Sequence, residues 1–270
     1  MSREIIELLP PPADLRVAYG PEEAQFGELW LPVSGGPHPV VVLLHGGYWR
    51  ARYGLEYFGH AAAALRDERL AVWNVEYRRL GNPGGGWPGT FQDVGRALDA
   101  LRGLAGRFPL DLGRVVALGH SAGGQLALWA AGRHRLPDGG PLASPDPLRL
   151  AGVIGLAGVS DLRRAWQLRL GDAVVDDLMG GAPTAVGARY SNASPFELLP
   201  LGVPQVLIHG ADDVNVPLEL SERYHQAALA AGDRCELMVL AGAGHFEVVD
   251  PHTAEWQRVL AAVRSLTEKA

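Results

Sequence analysis

The stretch Arg114–Arg133, RVVALGHSAGGQLALWAAGR, decides the fold. Its first residues, Arg114–Leu118, form a short Val-rich apolar run of the kind that makes a buried parallel strand. Gly119-His120-Ser121-Ala122-Gly123 then fits G-x-S-x-G, and from Ala122 on, Leu126, Ala127 and Ala130 recur at helical spacing. Strand, glycine turn and helix in this order hold a serine at the apex of a sharp turn, in strained backbone, with its Oγ exposed. Chain crosses chain at such a turn, so positions two before and two after the serine must be small; Gly119, Gly123 and Gly124 comply. The first N–H groups of the helix point at any negative charge that develops beside the serine. Ser121 is the candidate nucleophile.

The same grammar extends in both directions. Upstream, residues 1–20 are Pro-rich and irregular, and Glu23–Val33 alternates loosely as an antiparallel edge hairpin. Pro39–Leu44 is a near-continuous buried strand that ends in His45-Gly46-Gly47-Tyr48-Trp49-Arg50. A helix over Leu55–Asp67 and a strand over Leu70–Arg78 follow. Thr90-Phe91-Gln92-Asp93 resembles a capping box, with Thr90 at the N-cap of a helix that runs to about Arg107.

Downstream, a polar connector (Pro137–Pro147) precedes a strand at Ala151–Val159. Residues from about 160 to 200 break the alternation and read as a small lid over the site. Strand Pro204–His209, a helix near Leu218–Ala230, strand Cys235–Leu240 and a last helix complete the chain. That helix carries one apolar stripe of Trp256, Val259, Leu260, Val263 and Leu266, which is core packing. Strands alternating with helices predict an α/β fold: one domain over 1–270, with a mostly parallel central sheet and helices on both faces. Chemistry in such sheets gathers at the carboxyl ends of the strands.

Composition narrows the function. The 270 residues are 47% apolar and 20% charged, ample for a large core, and the net charge of -6 argues against nucleic acid and anionic membrane as partners. A small-molecule substrate is the expected partner. Cys235 is the only cysteine, so no intrachain disulfide forms, and its strand-like surroundings make it a small hydrophobe. No apolar run reaches 18 residues, and the N-terminus has no useful h-region, so a soluble cytoplasmic protein is expected. No His/Asp/Cys group has ligand spacing, so no metal or cofactor is expected.

A serine needs a base, and the base needs an orienting group. Of the nine histidines, His134, His225 and His252 fall on helices or turns, while His120 and His209 end strands as packing or hydrogen-bonding residues. His245 differs, because Gly242-Ala243-Gly244-His245-Phe246 is a flexible loop between the last strand and the last helix. For the acid, Asp212 and Asp213 both follow the penultimate strand. The resulting chain order, Ser-Asp-His, is that of the α/β-hydrolases.

From end to end the chain resembles that superfamily. His209–Pro217 matches H-G-x-x-D-x-x-V-P, and Gly119–Gly124 matches G-H-S-A-G-G. The resemblance implies a catalytic triad of Ser121, Asp213 and His245, with Asp213 three residues on from Gly210. Asp212 is expected to bond the backbone of its own turn. His45-Gly46-Gly47-Tyr48-Trp49 is similar to the H-G-G-x-W signature of kynurenine formamidase-like enzymes, which implies an oxyanion hole at the N–H groups of Gly47, Tyr48 and Ala122. Trp49, Trp87 and Trp166 are candidates to line the substrate pocket beside Tyr48, and Arg50, Arg52, Glu56 and Arg78 to meet charged substrate groups. The expected function is a serine hydrolase of small acyl esters or aryl (form)amides. A general short-chain carboxylesterase and a silent ligand-binding relative are the alternatives. A gated peptidase is disfavoured, since 270 residues leave no room for a gating domain.

Overall fold

In a computed structural model, described over residues 4–33 and 35–268, the apolar runs join one eight-stranded sheet. The strands are β1 (Leu15–Ala18), β2 (Phe26–Trp30), β3 (His38–Leu44), β4 (Ala71–Val75), β5 (Leu110–His120), β6 (Gly152–Leu156), β7 (Gln205–Gly210) and β8 (Cys235–Leu240). They lie in the order β1-β2-β4-β3-β5-β6-β7-β8. From β4 to β8 every neighbouring pair is parallel, and β1 and β2 close one edge antiparallel.

The helices are α1 (Phe58–Asp67), α2 (Gly89–Asp99), α3 (Leu101–Ala105), α4 (Ala122–Ala131), α5 (Leu162–Gln167), α6 (Leu170–Met179), α7 (Gly187–Ala193), α8 (Glu219–Ala230) and α9 (Trp256–Thr267). Because side chains alternate along a strand, β3 serves two cores at once. Val40, Val42 and Leu44 pack with α2–α8, while Val41 and Leu43 pack with α1 and α9. Both faces are covered, which is why β3, β5 and β6 read as continuous apolar runs rather than alternating ones.

Three expectations need correction. The edge hairpin begins earlier than expected, since Leu15–Ala18 is a strand paired with β2 rather than irregular chain. Its residues are mostly exposed, so no buried alternation marks it. Thr90 and Asp93 form no capping box. Thr90 lies inside α2, where Oγ1 accepts from Gly86 N–H and donates to the Arg78 carbonyl. Asp93 is buried and holds Arg78 through paired bonds of 2.7 Å, a stronger demand on a carboxylate than a helix end. The 160–200 insertion, read as a lid over the site, is helical, but Leu162, Val174, Leu178 and Tyr190 are buried in the main core, and none of its residues lines the Ser121 cavity. No helix among the described residues is long and apolar enough to cross a membrane.

Candidate active site

β5 delivers Ser121 to the carboxyl end of the sheet, and the turn into α4 is as sharp as the glycines allow. Ser121 has φ 57 and ψ −120, a conformation that costs a non-glycine residue about 1–3 kcal/mol. Its backbone is clamped on both sides: Ser121 N–H donates to the Leu156 carbonyl at 2.8 Å, and the Ser121 carbonyl accepts from Gly124 N–H at 3.0 Å and Val159 N–H at 3.2 Å. A Cβ on Gly123 would collide with the carbonyls of Leu44 and His45, so the elbow fits only because that position is bare. Ser121 itself is nearly buried.

The segment after β3 carries the second part of the site. Gly47 (φ 110), Tyr48 (φ 52) and Trp49 (φ 54) run consecutively through the left-handed region, which turns the backbone back toward the elbow. Side chains hold this turn in place. Tyr48 Oη donates to the Asn215 carbonyl at 3.0 Å, Trp49 Nε1 donates to Gln125 Oε1 at 3.1 Å, and Arg50 donates to the Gly171 carbonyl at 2.9 Å. Among the described residues, the N–H groups of Gly47, Tyr48 and Ala122 find no acceptor within the chain. Beneath the turn, buried His45 stacks on Tyr77 with ring centroids 4.4 Å apart and meets Glu76 at 3.0 Å, while Tyr77 Oη donates to the His45 carbonyl.

The loops after β7 and β8 meet beside Ser121. His245 Nδ1 lies 2.6 Å from Asp213 Oδ2, and the other carboxylate oxygen accepts N–H bonds from Asn215 at 2.8 Å and Val216 at 3.0 Å. An acceptor at Nδ1 fixes the tautomer with the proton there and leaves Nε2 without a partner among the described residues. His209 adds a second imidazole on Asp213 Oδ2, at 3.3 Å. The Asp213 side chain is buried, which by itself would raise its pKa. The hydrogen bonds from His209, His245 and the Val216 N–H outweigh burial and hold the carboxyl well below the usual carboxylate range.

Ser121, His245, Gly47 and Tyr48 all line one cavity of about 440 Å³. Its wall also includes Tyr53, Tyr57, His120 and Phe246, together with the exposed Arg52 and Glu56. The three tryptophans expected here are elsewhere. Trp49 is fully buried, with its indole turned onto Gln125 of α4. Trp87 packs on Phe91, and Trp166 donates to Asp176 inside the insertion. A left-handed φ at Trp49 sends its ring inward while Tyr48 takes the cavity side. Arg50 and Arg78 bond within the chain and are absent from the cavity wall, whereas Arg52 and Glu56 lie on it. The turn-bonding expected of Asp212 belongs instead to Asp213; Asp212 is exposed. Sequence reasoning read His209 only as a hydrogen-bonding strand end, without its place on Asp213, and missed Tyr57 and Phe246. His209, four residues before Asp213 at the end of β7, was the one with a readable signal.

Residues 28–228 match the BD-FAE family. The chain belongs to the BD-FAE family. Curated relatives of this BD-FAE chain include a probable isoprenylcysteine alpha-carbonyl methylesterase of Oryza sativa, 25% identical over 250 residues, and an isoprenylcysteine alpha-carbonyl methylesterase of Arabidopsis thaliana, 24% identical over 249 residues. Each match covers 86% of the chain but only 58% and 56% of the relatives, so the chain spans a little over half their length. Among solved structures, a truncated carbohydrate esterase from gut microbiota superposes with a TM-score of 0.80 at 20% identity, over 96% of this chain and 99% of that one. A thermophilic esterase from the planctomycete Thermogutta terrifontis gives 0.74 at 22% identity, over 96% and 95%. At such identities the likeness is one of fold, and the fold is that of the α/β-hydrolases.

Proposed function

We propose that this BD-FAE chain is a serine hydrolase of small carboxylic esters. The observation that carries the reading is a strained Ser121 that lines the same cavity as His245, itself bonded to the buried carboxylate of Asp213. Ser121 Oγ attacks the ester carbonyl while His245 Nε2 takes its proton. The carbonyl oxygen becomes an oxyanion that the N–H groups of Gly47, Tyr48 and Ala122 stabilise. His245 then protonates the leaving alcohol, the C–O bond breaks, and an acyl-serine remains. Water, deprotonated by the same Nε2, attacks the acyl carbon and releases the acid and free Ser121. Asp213 keeps the imidazole oriented and stabilises its cation throughout.

Relatives with esterase names support the ester over the amide. The cavity of about 440 Å³ favours short acyl groups. An aryl formamide is the second substrate class, carried by H-G-G-x-W and by the cavity-lining pair Arg52 and Glu56, of opposite charge, which suits a zwitterion. A hydrolysis panel tests both. p-Nitrophenyl acetate and butyrate should be cleaved faster than the dodecanoate, and Ser121→Ala should lose activity on the order of a million-fold. Activity retained by purified Ser121→Ala would overturn the mechanism. Efficient turnover of N-formylkynurenine with poor turnover of esters would move the assignment to the formamide.

A further inference from the structure

Three loops from three different strands must hold their spacing for this chemistry, and a line of buried hydrogen bonds runs through all of them. We propose that Tyr57 and His120 are positioning residues that tie the loop carrying the oxyanion donors to the loop carrying the base, with the elbow between them. The inference rests on the roles given above to Ser121, His245 and the N–H groups of residues 47, 48 and 122.

Gly46 N–H donates to Tyr57 Oη at 2.6 Å. Tyr57 Oη lies 2.9 Å from His120 Nδ1, and His120 Nε2 lies 2.9 Å from the main-chain carbonyl of His245. One proton arrangement satisfies the whole line. A carbonyl only accepts, so His120 carries its proton on Nε2 and donates to His245. The neutral ring then offers Nδ1 as an acceptor, Tyr57 donates its O–H to it, and a lone pair of Oη remains for Gly46 N–H. Protonating His120 would put a second donor at Tyr57, strand the buried phenolic hydrogen and set a cation against His245. Burial and that neighbouring imidazole, 4.5 Å away between ring centroids, keep His120 neutral by pushing its pKa well below the ordinary histidine value.

Placement makes this line more than packing. His120 immediately precedes Ser121 and ends β5, so its ring is fixed to the nucleophile's own turn. Gly46 immediately precedes the two glycine-loop donors, and His245 supplies the base. Tyr57 and His120 also line the cavity. Groups in such a line polarise and orient one another, and an error of about 1 Å in reacting geometry is worth up to roughly 100-fold in rate.

The test uses kcat and KM for p-nitrophenyl acetate on Tyr57→Phe, His120→Phe and the double variant, with His120→Gln as the conservative substitution. Active sites are titrated with a fluorophosphonate, so that kcat is expressed per competent serine. Each single variant should lose about 10- to 100-fold in kcat, with KM within about twofold. The double variant should lose little more than the worse single one, because both cut the same line. His120→Gln, which restores an N–H donor near the Nε2 position, should recover most of the His120→Phe loss. Full kcat per titrated site in both single variants would overturn the proposal, as would independent, multiplying losses or no recovery with Gln. Should the fluorophosphonate fail to label wild-type protein but not a control serine hydrolase, the reading of Ser121 falls instead.

Discussion

The two loops that flank Ser121 are anchored in opposite ways. The loop after β3, residues 45–54, is held by side chains reaching in from outside it: Tyr77 and Glu76 on His45, Gln125 on Trp49, and Tyr57, at the start of α1, on Gly46. Its backbone is forced through three successive left-handed residues. The loop after β8, residues 241–250, is tied by main-chain bonds such as Asp212 N–H to the Ala243 carbonyl, by short-range bonds of its own such as Gly244 N–H to Glu247, and at its working residue by the His245 ring on Asp213 and His120 on the His245 carbonyl. Under the proposed mechanism, the difference follows from what each loop presents. One must aim backbone N–H groups, so its backbone is what the structure constrains. The other must present an imidazole that gains and loses a proton, so the constraint sits on the ring itself. Damage to the first should appear in both geometry and stability; damage to the anchor of the second should appear first in the chemistry.

The largest effect expected from this contrast is at Asp213. Asp213→Asn replaces an anion by a group that cannot stabilise the imidazolium and favours the wrong tautomer, a change worth about ten-thousand-fold in kcat in a comparable triad. Asp212→Asn should leave kcat within about twofold, because its exposed carboxylate meets neither His245 nor the turn amides. Steady-state kinetics on the two variants decide the matter. A large loss at Asp212 with an active Asp213→Asn would reverse the assignment. The buried Asp213 anion also predicts that no limb of the activity profile above about pH 4 belongs to this carboxylate.

The middle effect lies in the other loop. Gly47 has φ 110, and a Cβ there would run into the Tyr53 side chain. Gly47→Ala should therefore displace the donor pair 47–48, cost about 100- to 1000-fold in kcat and lower Tm as well. Fluorophosphonate titration, kcat and a thermal melt on one preparation measure all three quantities. A Gly47→Ala protein with normal kcat would mean that these amides do not meet the oxyanion.

How far each loop could be read from sequence follows the same division. Ser121 was legible because the elbow is a local steric problem, solved within Gly119–Gly124, and the parallel sheet was legible because both its faces are buried. His245 stood out as the candidate base because its glycine loop follows the last strand, whereas position after a strand left Asp212 and Asp213 open and only the resemblance chose Asp213. The pocket wall was not legible. Whether Tyr48 or Trp49 faces the cavity depends on two left-handed φ values that residue types do not announce, so three tryptophans were placed in the site beside Tyr48, while Tyr53 and Tyr57 were overlooked. The structural work of Asp93, a buried partner for Arg78 and Gln25, depends on chain 15 and 68 residues away and so read as a local cap. Likewise, Tyr57 becomes informative only once His120 and Gly46 are seen on either side of it.

The smallest expected effect concerns the tie between the two loops, which is itself a titratable group. His120 is buried against His245, Tyr57 and Phe58, with Asp213 and His209 among the charged and titratable groups around it, and its pKa is held well below the ordinary value. An unfolded chain protonates this histidine near pH 6.5, whereas the folded chain does not. As pH falls below about 6.5 the unfolded state takes up a proton that the native state refuses, so stability present at neutral pH is lost progressively, by at most about 1.4 kcal/mol per pH unit. Asp213 acts in the same direction, but only below about pH 4, where the unfolded carboxylate begins to protonate, so the interval between about pH 4 and 6.5 isolates the histidine. His134 is also shifted down and contributes equally to wild type and variant, so it cancels in a difference. His120→Gln removes the titration while keeping a donor for the His245 carbonyl. Its Tm should lie below that of wild type at pH 7, and the gap should narrow toward pH 5 by about 2 °C or more, given the length of the chain. Thermal melts at half-unit steps of pH read this directly. Parallel curves for the two proteins across that interval would show that His120 takes up its proton in the folded state, and the proton arrangement that joins the two loops would have to be redrawn.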